Sequence, residues 1–175
     1  MPVRTEQDVK TGKDNMPTGK TRFIVKPKEK KIIIERILNA PRELVFKAYT
    51  EPKHISNWWG PRELKTAIDK MEVKPGGVWR FIQRDFEGNE FAFNGVYKEI
   101  IVPEKIVSTF EFEGMPGHVL VQTVSLEDLD EKTKLTTTSL YESLKDLEGM
   151  LGSGMEKGST ESMERLSELL ASMQL

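Results

Sequence analysis

The chain has 175 residues, with 26 basic and 28 acidic side chains for a formal net charge of −2, and 37% of its residues are hydrophobic. A globule of this size hides roughly 70% of the surface its extended chain exposes, which is enough for one core, and the length favours one domain over two. A near-neutral charge and a pI of about 5.8 argue against gripping nucleic acid by its phosphates. With no cysteine, disulfides, thiolate metal sites and cysteine nucleophiles are excluded together, and the two histidines, His54 and His118, are too few for a histidine metal site.

No apolar run approaches the roughly 18 residues that cross a bilayer, and the stretch from Met1 to Glu6 lacks the apolar core of a signal peptide. The expectation is a cytoplasmic protein with no cofactor, no metal, no nucleic-acid partner and no membrane partner; its oligomeric state is not encoded in any visible pattern. Charge is uneven: residues 1–30 hold eight basic and four acidic side chains, and residues 127–175 hold five and eleven. The first thirty residues read as a flexible basic tail outside the domain, with room for a short added strand near 21–25 that Pro27 and the surrounding lysines limit. The domain itself is expected over 31–175.

From Lys31 the pattern changes. Ile32 to Leu38 is rich in β-branched residues and reads as a strand. Asn39-Ala40-Pro41 opens a helix with Pro41 in its first turn, Leu44, Val45, Ala48 and Tyr49 forming its apolar face. Glu51-Pro52 stops it, and a short second helix carries His54 to Trp59. Six strands follow at even spacing: 66–74, 78–86, 91–101, 106–113, 118–126 and 134–141, separated by Gly, Pro and Asn turns. Connections this short describe an antiparallel meander. Alternation gathers Trp79 and Phe81, Phe93, Gly95 and Tyr97, and Phe110 and Phe112 on one face, opposite Arg80, Asn94, Lys98 and Glu111. After a helical turn at 145–151 and the breakers Gly152-Ser153-Gly154, Met155–Met173 has helical spacing of Met163, Leu166, Leu169 and Leu170. An open sheet with one aromatic face needs a cover, and only this last helix is long enough.

The order β-αα-β6-α, with Ala40-Pro41-Arg42-Glu43-Leu44-Val45-Phe46 and then Trp58-Trp59-Gly60-Pro61, resembles the helix-grip superfamily of START and birch-pollen-allergen-like (SRPBCC) domains. Pro75-Gly76-Gly77-Val78-Trp79-Arg80-Phe81, Gly95-Val96-Tyr97, Pro103-Glu104-Lys105-Ile106-Val107 and Arg165 to Leu170 make it similar to the branch named after the C-terminal domain of the heat-shock protein 90 ATPase activator. The resemblance spans about Lys31 to Leu170. It implies an α+β helix-grip fold, a curved antiparallel sheet around the long C-terminal helix with a cavity between them. It also implies binding or carriage of small apolar molecules, with a co-chaperone-like contact to a heat-shock chaperone, or an enzyme acting on an apolar molecule, as the alternatives. Many relatives carry an aromatic residue at the place of Ser159, so a relative's ligand does not transfer.

The first half of the last helix presents Gly154, Gly158, Ser159 and Ser162 around Met155. Small residues facing Trp79, Phe93 and Tyr97 either let the helix approach the sheet closely or leave a pocket of a few hundred cubic ångströms. The cavity candidates are Trp58, Trp79, Phe81, Phe93, Tyr97, Phe110 and Phe112 from the sheet side and its rim. Val121 and Thr123 are added from the seventh strand, and Met150, Met155, Ser159 and Ser162 from the helices. Ser159, Thr123, Tyr97 and Gln83 would orient polar groups of a ligand. No residue is assigned as catalytic: His54, His118 and Glu99 are the only acid–base candidates. The stretch Gly152 to Gly158 has the wrong spacing and no preceding strand for a dinucleotide loop.

Overall fold

The structure, a computed structural model, describes residues 16–175. Its elements are β1 (Thr21–Lys26), β2 (Lys31–Leu38), α1 (Arg42–Thr50), α2 (Pro52–Trp58), β3 (Lys65–Met71), β4 (Val78–Arg84), β5 (Glu90–Ile101), β6 (Lys105–Phe112), β7 (Val119–Asp128), β8 (Thr133–Leu140), α3 (Leu144–Gly152) and α4 (Met155–Ser172). The eight strands form one sheet in the order β1-β2-β8-β7-β6-β5-β4-β3, and every pairing is antiparallel. Strands β3 to β8 are the expected meander. The two N-terminal strands join beyond β8, which puts α1 and α2 at the crossing from β2 to β3. This is an α+β helix-grip fold, with α4 laid across the inner face.

The sheet takes in residues before Lys31. Residues 1–15 of the expected tail lie outside the described residues, but Thr21–Lys26 pairs along its whole length with β2. Phe23 and Ile24 are buried there. Pro27 does not interrupt this strand; it opens a 3-10 turn, and Lys30, at φ 55°, turns the chain back into β2. Pro41 also sits one place earlier than expected, as the extended residue capping α1, whereas Pro52 occupies the first turn of α2.

Rows of facing residues follow from the register. Phe81, Phe93 and Phe112 lie side by side on the inner face, and Trp79, Gly95, Phe110 and Leu120 form the next row. Leu38, Val45, Leu135, Leu166 and Leu170 are at most 1% exposed and form the centre of the core under α4. A second cluster of Phe23, Ile32, Ile34, Leu120, Tyr141 and Leu147 holds α3 over the β1–β2 side.

Gly95 is required by packing. A methyl group there would collide with the Thr109 carbonyl oxygen and the Trp79 indole. Substituting Gly95→Ala is expected to cost about 2–3 kcal/mol through overpacking, read as a lower denaturation midpoint with an unchanged slope.

On the outer face Arg80 donates to both oxygens of Glu113, at 2.8 and 3.0 Å, and Asn94 Nδ2 donates to the same carboxylate at 3.0 Å. These bonds, Arg80 first, hold the Glu113 pKa down at about 2. A depressed carboxylate stabilises the fold in full above its unfolded pKa, near 4.3, and that contribution disappears as pH falls to about 2. The gap in melting temperature between the wild type and Glu113→Gln should therefore be constant above pH 6 and close between pH 5 and 2. A gap that does not change over that range would contradict the assignment.

Candidate functional site

Between α4 and the inner face lies a space of about 280 Å³. Strands β2, β4, β5, β6, β7 and β8 supply its floor through Ile34, Gln83, Phe93, Phe110, Leu120, Gln122, Val124, Thr137 and Ser139. Tyr49, Trp58, Trp59, Gly60 and Pro61 form one flank. Tyr141, Met150, Met155, Gly158, Ser159, Ser162 and Met163 close the helical side.

Of the residues expected from sequence, Trp58, Phe93, Phe110, Met150, Met155, Ser159 and Ser162 are brought together here, and so is Gln83. Six are not. Trp79, Phe81 and Tyr97 lie on the inner face but are packed into the core, at 5%, 3% and 6% exposure. Phe112 lies against Phe93 with centroids 5.1 Å apart and does not reach the space. Val121 and Thr123 point to the opposite face: they pair with Thr109 and Val107, while Leu120, Gln122 and Val124 point inward. A shift of one residue inverts a strand's faces, and β7 carries apolar residues in both parities.

Several lining residues were missing from the expected set, among them Tyr49, Gln122, Tyr141 and Trp59, and Trp59 matters most to the shape of the site. Its ring meets Phe81 at 5.1 Å, Phe93 at 5.3 Å, Trp79 at 6.3 Å and Phe110 at 6.4 Å, so it is the common member of the aromatic cluster. Trp58 is committed elsewhere, its indole donating to the Ala48 carbonyl at 2.8 Å and its ring leaning on Tyr49.

The segment carrying Trp59 is stitched to α4. Ser162 Oγ donates to the Trp58 carbonyl at 3.1 Å and accepts from the Gly60 amide at 3.2 Å. Arg165 donates to the carbonyls of Gly60, Pro61 and Asn57 at 2.8, 3.2 and 3.0 Å, answering the free carbonyls at the end of α2. Arg62 adds a two-bond pair with Glu168 at 2.7 and 3.1 Å. From the other side, Thr66 Oγ1 donates to the Trp59 carbonyl at 2.7 Å.

No Asp, Glu, Lys, Arg or His lines the space. Burial raises the pKa of the Tyr49 phenol, partly offset by the Thr137 hydroxyl, and pushes Tyr141 up to about 12, partly offset by Ser139. Both phenols therefore keep their protons at neutral pH. The acid–base candidates sit outside. His54 lies 3.7 Å from Glu51 on α2, and His118 meets Asp146 at 2.8 Å. Strict alternation along β5 would put Glu99 on the side of Tyr97, but a bulge between Tyr97 and Glu99 turns it to the outer face, 3.4 Å from Lys105. Among the described residues no group of three or more His, Cys, Asp or Glu side chains is placed to hold a metal, and no helix is long and apolar enough to cross a membrane.

Residues 39–171 match the family described as Activator of Hsp90 ATPase homolog 1-like protein, and the chain belongs to that family. Solved structures agree on the fold. A protein from Arthrobacter aurescens superposes with a TM-score of 0.81 at 23% identity, over 86% of this chain and 91% of its own. A Mycobacterium smegmatis protein gives 0.78 at 18% identity, over 85% and 94%, and the AHSA1 protein of Silicibacter pomeroyi gives 0.69 at 21%, over 82% and 99%. At these identities the likeness is one of fold alone. No functionally curated protein matches the chain.

Replacing Arg165 by Met removes three bonds to carbonyls while keeping most of the side chain's apolar length. The expected cost is about 1–3 kcal/mol, with the Trp59 indole NMR signal broadened or shifted. A Trp59 signal unchanged in the folded variant would show that the clamp does not position that ring.

Proposed function

We infer that the protein binds and carries a small, mostly apolar molecule between α4 and the sheet. The observation that carries this reading is at Gly158. A helix that uses glycine for close packing has sheet atoms within reach of the missing methyl group, yet a Cβ added at Gly158 would meet nothing within 4 Å. The small residues of α4 thus leave space rather than bring the helix down onto the sheet. That space is lined mainly by aromatic and aliphatic carbon, the character of small-molecule sites.

Hydrophobic contact would supply affinity at roughly 25 cal/mol per Å² of apolar surface removed from water. The volume suits a ligand on the order of a dozen non-hydrogen atoms, about nine waters' share of liquid. The reading is of a binding protein without chemistry of its own, since the acid–base candidates face away from the space. The family description refers to an Hsp90 activator, and that activity belongs to the proteins so described.

Naphthalene is a suitable probe, followed by the chemical shifts of the Met155 and Met163 methyl groups. Saturable shifts are expected in the wild type. Ser159→Trp should fill the space and abolish them with little change in the melting curve, because residue 159 is only partly buried. Native mass spectrometry of freshly purified protein should show a bound small molecule in the wild type and none in the variant. Unchanged naphthalene uptake in Ser159→Trp would mean that the site lies elsewhere.

A further inference from the structure

We propose that the cavity selects an uncharged ligand bearing an amide-like group, one that both donates and accepts hydrogen bonds, and that the Gln83 carboxamide is its anchor; this rests on the reading of the cavity as a binding site. Gln83 is 4% exposed and lines the space. Its side chain makes no hydrogen bond with any of the described residues. Its backbone is held in β4 by pairing with Phe91 and Thr66, so the carboxamide is presented from a rigid element.

The surroundings are shaped to this group. Gly60 has φ 96°, and a Cβ there would collide with Gln83 Nε2. That backbone angle itself calls for glycine, and the bare backbone leaves the carboxamide end room to lie against it. The polar groups nearby are already committed: Ser162 Oγ serves Trp58 and Gly60, and Thr66 Oγ1 serves Trp59. One acceptor and two donors on Gln83 are left for a guest. A carboxamide is matched best by another amide or a lactam, which returns a donor for its acceptor and an acceptor for its donor.

Charge is selected against by the same lining. With no ionised side chain on the cavity wall, a carboxylate or ammonium would be desolvated without a counter-ion, which costs several kcal/mol. A neutral amide loses far less, because Gln83 replaces the water it gives up.

The test uses three probes of one shape, naphthalene, 2-naphthamide and 2-naphthoate, titrated into the full chain at pH 7 by NMR. Gln83→Leu is expected to weaken 2-naphthamide about tenfold or more and leave naphthalene unchanged or tighter. In the wild type, 2-naphthoate should bind at least a hundredfold more weakly than the amide. The anchor is overturned, with the cavity reading intact, if Gln83→Leu changes naphthalene and 2-naphthamide equally, or if 2-naphthoate binds as well as the amide. If naphthalene itself does not bind the wild type, the cavity reading falls and the anchor with it. Gln83→Met replaces Gln83→Leu should the latter lose a dispersed amide spectrum, and the comparison of amide with carboxylate needs no variant at all.

Discussion

The long helix α4 covers the middle of an eight-stranded sheet, and everything around the site depends on how it divides that task. Its C-terminal half carries Leu166 and Leu170, at 0% and 1% exposure, with Met163 before them at 7%. Burial of side chains of this size contributes about 1.5–3 kcal/mol each, so this half supplies most of the helix's apolar anchorage on the sheet. The N-terminal half carries Gly158, Ser159 and Ser162, which add little apolar area. The fold is therefore secured at one end of α4 and left open at the other. A void at the open end is tolerated because the stabilising contacts are made elsewhere along the same rigid rod.

A second constraint follows from the first. A cavity flanked by a loop is useful only if the loop keeps its place, and the segment from Trp59 to Leu64 has no strand or helix of its own between α2 and β3. Its carbonyls are instead bound by Arg165 and its backbone by Ser162. These residues occupy the same helix that leaves the void, which makes α4 both roof and fastening. Trp59, which opens this segment, reaches four aromatic rings of the sheet. Ring-to-ring contacts of this kind add about 0.5–1.5 kcal/mol beyond area, so the flank is stiffened by side chains on both sides.

Much of the architecture was legible because its signals are local. Turn residues at regular spacing gave the meander, and period-two aromatics in β4, β5 and β6 gave the inner face correctly. What failed were features that local patterns do not carry. In β7 the apolar residues Val119, Leu120, Val121 and Val124 occupy both parities, so alternation does not decide which face is inward, and Val121 and Thr123 were assigned to the wrong one. The position of Glu99 is set by a bulge, an extra residue that only the pairing with β6 reveals. The short added strand near 21–25 was named, but its place in the sheet and core was not, because its burial comes from pairing with β2 rather than from its own composition. Trp59 was passed over for Trp58: the adjacent pair offers no sequence signal for which ring turns toward the sheet, although a tryptophan just before a Gly-Pro helix stop is a reasonable place to look.

Gln83 sharpens the physical argument about what the cavity is for. The Gln83 carboxamide has no hydrogen-bond partner among the described residues and opens onto the cavity, where a leucine of similar size on β4 would add apolar surface instead. Gly60, whose φ of 96° calls for glycine on its own account, gives the carboxamide its room. The void beside Gly158 is one that a larger side chain could fill. Two departures from the best-packed sequence, one polar and one volumetric, thus open onto the same space. Independent packing faults have no reason to coincide in this way, whereas a site that holds a guest requires room and a polar contact together.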